Sequence, residues 1–152
     1  MNISKALKKM LITWFVVLAF CSMSYFLSYD FYAVFISVLI FSAYIFNLKL
    51  FDNNFTDKSE KLWAVPLLYC IVLILVSLVY AIPVLFFNAI KPSATAFESF
   101  YFCIITLTTV GYGELSPNNF SGQVLSISMA LVGTVHMIMF ISILISKLRK
   151  DG

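Results

Sequence analysis

The chain has 152 residues, of which 62% are hydrophobic and only 11% charged, with a mean hydropathy of +0.99. A soluble domain needs roughly 25% charged residues to face water, so this composition excludes a soluble fold and assigns the chain to a bilayer. The net charge of +3 excludes a nucleic-acid partner by its distribution: apart from Lys91, the cations form short clusters beside long apolar runs, which marks membrane orientation and not a basic face.

Spanning about 30 Å of hydrocarbon at about 1.5 Å per residue takes roughly 20 residues of helix. Residues 10–29 form an uncharged run of that length, too long for the apolar stretch of a signal peptide, so a retained first helix is expected. Residues 31–48 form a second, slightly shorter run. A polar linker, residues 51–61, follows and divides the chain into an N-terminal helical hairpin with its cytoplasmic linker, 1–61, and a second unit, 62–152. That unit opens with a third run, residues 62–90, and closes with a fourth, residues 115–146, whose apolar part covers 124–145. Cys21, Cys70 and Cys103 lie inside apolar stretches without C-x-x-C spacing, so neither a disulfide framework nor a metal site is expected. No cofactor is implied. With no constellation of His, Cys or carboxylate side chains, the chain does not read as an enzyme.

The cations set the orientation. Lys5, Lys8 and Lys9 precede the first run, Lys49, Lys58 and Lys61 fill the connection between the second and third, and Lys147, Arg149 and Lys150 follow the fourth. Four spans put all three clusters on one side, which the positive-inside rule makes the cytoplasm, together with both termini.

Between the last two runs lies 95–107, too short to cross. Non-helical backbone at membrane depth is tolerated only where it is buried in protein or lines a watery pathway, so this segment and its sequel are the place to look for function. Thr95-Ala96-Phe97-Glu98 reads as a capping box opening a helix. A helix to Leu107 would descend about 18 Å and point its partially negative C-terminal end at the membrane centre, where a cation is favoured. Then comes Thr109-Val110-Gly111-Tyr112-Gly113, whose alternate glycines permit dihedrals that a side chain would block.

The stretch Thr106-Leu107-Thr108-Thr109-Val110-Gly111-Tyr112-Gly113-Glu114 resembles the pore signature of the potassium channel superfamily. The region from Trp63 to Lys147 is similar to that family's two-helix pore module. The resemblance implies an all-α integral membrane fold: four transmembrane helices, a re-entrant pore helix and a selectivity filter, assembled as a homotetramer. In potassium channels such a filter replaces the ion's hydration shell with backbone carbonyls. Carried onto this chain, the carbonyls of Thr109, Val110, Gly111 and Tyr112 and the Thr109 hydroxyl would hold K+, with Gly113 completing the filter. Tyr112 would turn away from the pore and pack against Tyr101 and Phe102, while Thr108 would face the cavity. Glu114 stands where Asp is common, and Ile105 stands where some members have a supporting carboxylate. Tyr101 is therefore the expected partner of Glu114. Tyr112 argues against a nonselective cation pore; a regulatory subunit that does not conduct alone is the alternative from another class.

On the fourth run, Thr134, Met137, Ile141 and Ile145 share one face at about 100° per residue and are assigned to the cavity or gate. Gly133, twenty residues beyond Gly113, stands where the resemblance implies a hinge glycine, close helix packing being the competing role. His136 lies off the cavity stripe, where an interhelical hydrogen bond is expected over a proton sensor. No run carries Lys or Arg at three-residue spacing, so gating is not expected to use a voltage sensor, and with a short tail after the fourth run no ligand-binding domain is expected. Short loops favour a prokaryotic inner membrane. The expected partners are the lipid bilayer, permeant K+ and further copies of the chain.

Overall fold

Backbone in lipid must satisfy its own polar groups, which a helix does within itself, and the described part of this chain is mostly helical. The computed structural model describes residues 12–17, 19, 30–55, 64–93 and 95–151. Residues 12–17 are helical. Helix α1 spans Asp30–Phe55, α2 Ala64–Phe86, α3 Ala96–Leu107 and α4 Phe120–Asp151, with two short strands, β1 at Ile90–Lys91 and β2 at Ser116–Pro117.

Among the described residues, two helices are long and apolar enough to cross a membrane, over Tyr69–Phe86 in α2 and Phe120–Ser146 in α4. Most of the first expected span lies outside the described residues. The second is present as α1, but its apolar part, Tyr32–Phe46, is shorter than a full crossing, and the helix continues through Asn47, Lys49 and Asp52 to Phe55. The linker expected from residue 51 is thus helical in its first five positions, 51–55; residues 56–63 lie outside the described residues. Apolarity marks where lipid contact ends, whereas a helix already nucleated keeps adding one hydrogen bond per residue through polar sequence.

Helix α2 packs chiefly on α3, and α1 chiefly on α4. The core is built from Ile36, Ile40 and Tyr44 of α1, Val76 and Tyr80 of α2, Phe102 and Cys103 of α3, and Leu125, Met129 and Val132 of α4. The Tyr80 hydroxyl meets Ser128 Oγ at 2.6 Å and ties α2 to α4. Leu67, Ile71, Ile74, Leu75 and Leu78 form an exposed apolar stripe along the opposite face of α2, suited to lipid.

The segment between α2 and α4 is a closed loop. Strands β1 and β2 pair antiparallel, Ile90 with Pro117 and Lys91 with Ser116, and so join the chain where it enters the loop to where it leaves. The Asn118 N–H donates to the Ala89 carbonyl at 2.8 Å, and Gly122 sits so close to that carbonyl that a Cβ would lie 2.0 Å from its oxygen. Asn119 caps α4: its Oδ1 accepts the Gly122 N–H at 2.8 Å while its Nδ2 donates to the Phe87 carbonyl at 3.0 Å. The N-x-S triplet at Asn119 is therefore a structural cap, its amide engaged at both ends.

Candidate functional site

The loop is organised around α3. At its start both bonds of the capping box form: Thr95 Oγ1 accepts the Glu98 N–H at 3.3 Å, and Glu98 Oε2 accepts the Thr95 N–H at 2.7 Å. The Thr95 hydroxyl also donates to Glu98 Oε2 at 2.9 Å. These bonds, the backbone one foremost, hold the exposed Glu98 carboxyl below the usual carboxylate range.

At its other end the last carbonyls of α3 are taken up by the chain that follows. The Ile104 carbonyl accepts the Thr108 N–H at 2.9 Å and its Oγ1 at 2.7 Å. The Thr106 carbonyl accepts the Thr109 N–H at 3.1 Å, and the Ile105 carbonyl accepts both Val110 and Gly111, at 2.9 and 3.1 Å. The Thr108 hydroxyl is thus turned back onto its own helix. The start of the 109–113 segment is thereby fixed to α3 by backbone bonds.

The dihedrals of that segment alternate. Thr109, Gly111 and Gly113 have φ of 61°, 50° and 93°, each in the left-handed region, and among the described residues the one other positive φ is that of Asn88. In an ordinary extended strand successive carbonyls point to opposite sides. Reversing the handedness at every second residue lets them turn to one side, and the glycines allow it without a Cβ penalty. Thr109 adopts it despite a branched side chain, a strained conformation of the kind held only where the surroundings impose it; no glycine in the sequence signals it.

The Tyr101 hydroxyl donates to Glu114 Oε1, so these two residues of the expected support are brought together. Phe102 is buried, 4% exposed, in the core, whereas Tyr112 is 71% exposed. The Tyr112 ring is thus left largely uncovered by its own chain.

Gly133 lies on α4 directly beneath the end of α3. A Cβ there would sit 2.0 Å from the Leu107 carbonyl oxygen and 2.8 Å from its carbon. Between two helices this is an approach of backbone on backbone that only glycine permits, and α4 runs unbroken through it. Thr134, Met137, Ile141 and Ile145 are all exposed on α4, one shared face directed away from the core. His136 faces the other way and is buried.

The site is thus an apolar helix pair around a capped half-length helix and a backbone of alternating handedness. The family described as "Ion channel" matches residues 67–150, more than half of the chain. The chain belongs to this family, the pore family of potassium channels. It is 36% identical over 52 residues to Two pore potassium channel a of Oryza sativa subsp. japonica, covering 34% of this chain and 15% of that protein. It is 38% identical over 56 residues to Probable potassium channel protein 2 of Methanocaldococcus jannaschii, covering 37% and 16%. To Two-pore potassium channel 4 of Arabidopsis thaliana it is 29% identical over 90 residues, covering 57% and 31%. The chain therefore spans less than a third of the length of each of these relatives. No solved structure matches.

Proposed function

We propose that the chain is one subunit of a potassium-selective channel in which four copies surround a single pore and pass K+ passively down its electrochemical gradient. The observation that carries this reading is the left-handed backbone at Thr109, Gly111 and Gly113, directly after a helix aimed along the loop. Four such segments would stack carbonyl rings from Thr109, Val110, Gly111 and Tyr112, with the Thr109 hydroxyl below them, in place of the water lost by K+. The α3 dipole adds partial negative charge at the inner end. The hydrogen bond between Tyr101 and Glu114 braces the outer end. The exposed Tyr112 ring would be covered by a neighbouring copy, which would complete the cuff that sets the filter width.

On this reading Thr134, Met137, Ile141 and Ile145 line the cavity below the filter, and the apolar ring at Ile141 or Ile145 gates by dewetting. No voltage sensor takes part. Both termini lie in the cytoplasm, and the bilayer is a prokaryotic inner membrane. Lys91, the one cation outside the three clusters, lies on β1 at the outer side.

Purified protein in liposomes tests this directly. Under an outward K+ gradient, the vesicles are expected to lose K+ and build a potential that barium abolishes, while an equal Na+ gradient builds almost none. Equal passage of Na+ would sink the proposal.

A further inference from the structure

We infer that α1 is a gating arm, latched onto the pore-lining helix α4 by a hydrogen bond from Tyr44 to His136. The inference rests on the channel reading above and assigns the N-terminal hairpin a task that the pore unit does not require of it.

Helix α1 packs chiefly on α4. At this interface the hydroxyl of Tyr44, a residue 1% exposed, meets His136 Nδ1 at 2.5 Å. On its other side His136 Nε2 meets the Tyr69 carbonyl of α2 at 3.2 Å. A carbonyl can only accept, so Nε2 carries the proton. In the neutral ring Nδ1 then offers a lone pair, and Tyr44 is the donor. One imidazole so satisfies a partner on each of two other helices. The Tyr69 ring stacks on the imidazole at 4.4 Å with an interplanar angle of 10° and leans on Phe140 at 4.5 Å, one turn further along α4.

The position of this node gives it leverage. His136 lies three residues beyond Gly133, where the Leu107 carbonyl seats α4 against the pore helix. Above that seat α4 is held to the filter scaffold by backbone. Below it, residues 136 and 140 are gripped by side chains from α1 and α2. Met137, the next residue after His136, is 53% exposed on the proposed cavity face. A helix transmits displacement as a rigid body over one turn, so the lower half of α4 cannot move relative to α1 without breaking the Tyr44–His136 bond or carrying the arm with it. The latch therefore stabilises one setting of the gate over the other, by its differential strength in the two.

The test uses the full chain in planar bilayers and compares wild type, Tyr44→Phe, His136→Gln and the double variant. Interhelical hydrogen bonds in membranes correspond on average to about threefold in an equilibrium, and several tens of fold if four latches release together. Each single variant is expected to change the open-to-closed ratio by at least about threefold, in the same direction, with K+ over Na+ selectivity unchanged. The double variant is expected to go no further than the larger single one. A ratio within twofold of wild type for Tyr44→Phe, or single effects that multiply in the double variant, would overturn the latch. Tyr44→Phe removes one oxygen and keeps the packing, so it does not depend on whether His136→Gln folds. Failure of the channel reading shows separately, as wild type that carries no selective K+ current. The latch is then decided by hydrogen exchange of residues 134–146 in nanodiscs, faster in Tyr44→Phe if it holds the helix and unchanged if it does not.

Discussion

The re-entrant loop and the α1 helix are held in place by different kinds of force. The loop is fixed by backbone: paired strands at its mouth, carbonyls of α3 gripping the filter segment, and two glycines, Gly122 and Gly133, pressed against carbonyls. Helix α1 is seated by an apolar stripe of Ile36, Ile40 and Tyr44 and by the hydrogen bond between Tyr44 and His136. Backbone contacts cannot be re-made by a rotamer change, so the loop has one geometry. Side-chain contacts can be re-made by rotamer changes, which is the freedom the inferred latch between Tyr44 and His136 requires of α1. A filter that must match an ion needs the first kind of force, and an element that responds to conditions needs the second.

If this contrast is right, the most damaging small change is an extra methyl group in the loop. Gly113 has φ of 93°, and a Cβ there would meet no other atom of its own chain, so the penalty of Gly113→Ala is purely conformational, of the order of 1–2 kcal/mol or more per chain. In the proposed fourfold pore the penalty is repeated in every copy, and Gly113→Ala should reduce K+ flux in liposomes to the level of empty vesicles without altering insertion. Val38→Ala on α1, where the side chain is 62% exposed, should leave flux within twofold. Flux that survives Gly113→Ala would break the comparison at its strongest point.

Gly133→Ala separates two roles for one residue. If Gly133 serves only as a hinge, alanine should stiffen α4 and raise the thermal midpoint, since alanine is better in a helix by about 1 kcal/mol. As a seat for α3 it has no room: the methyl group would strike the Leu107 carbonyl at 2.0 Å, and overpacking of this kind costs about 1–3 kcal/mol. The midpoint of unfolding in detergent should therefore fall. The sign of the change decides between the roles.

Much of this arrangement was legible in the sequence, for reasons that differ by residue. Thr95 and Glu98 could be read as a cap because their interaction spans three residues and repeats wherever such a helix starts. The apolar runs in α2 and α4 follow from bilayer thickness. The Tyr101–Glu114 contact spans thirteen residues and was reached through the resemblance, not through spacing. What stayed hidden was long-range or conformational. Tyr44 and Tyr69 are 92 and 67 residues from His136, and helical phase could say only that the histidine left the cavity face. The left-handed φ of Thr109 contradicts its own local preference. The extension of α1 to Phe55 passes through residues that no lipid criterion selects.

A smaller effect is expected at the outer end of the filter. Tyr101→Phe removes the donor to Glu114 and keeps the ring. Here the carboxylate is exposed and water competes for it, so the expected effect is small. Initial K+ flux should match wild type, while current under a maintained gradient should decay faster as the outer filter loosens. A time course identical to wild type would remove Tyr101 from the support of the filter.

The smallest effect is at the capping box. The bonds from Thr95 hold the Glu98 carboxyl below its ordinary range, so the ionised form is favoured in the folded chain. A depressed carboxyl contributes stability that is fully present above the ordinary carboxylate range and is lost as pH falls through the lowered folded value. Acidification from pH 6 to about pH 3 should therefore lower the thermal midpoint, and Glu98→Gln, which keeps an acceptor without a charge, should make that decline shallower while costing little at neutral pH. Glu98 is exposed and salt screens it, so the difference between the two slopes should shrink at high ionic strength. Slopes that coincide at every salt concentration would mean that the box positions α3 by geometry alone and that its charge contributes nothing to the fixed backbone of the loop.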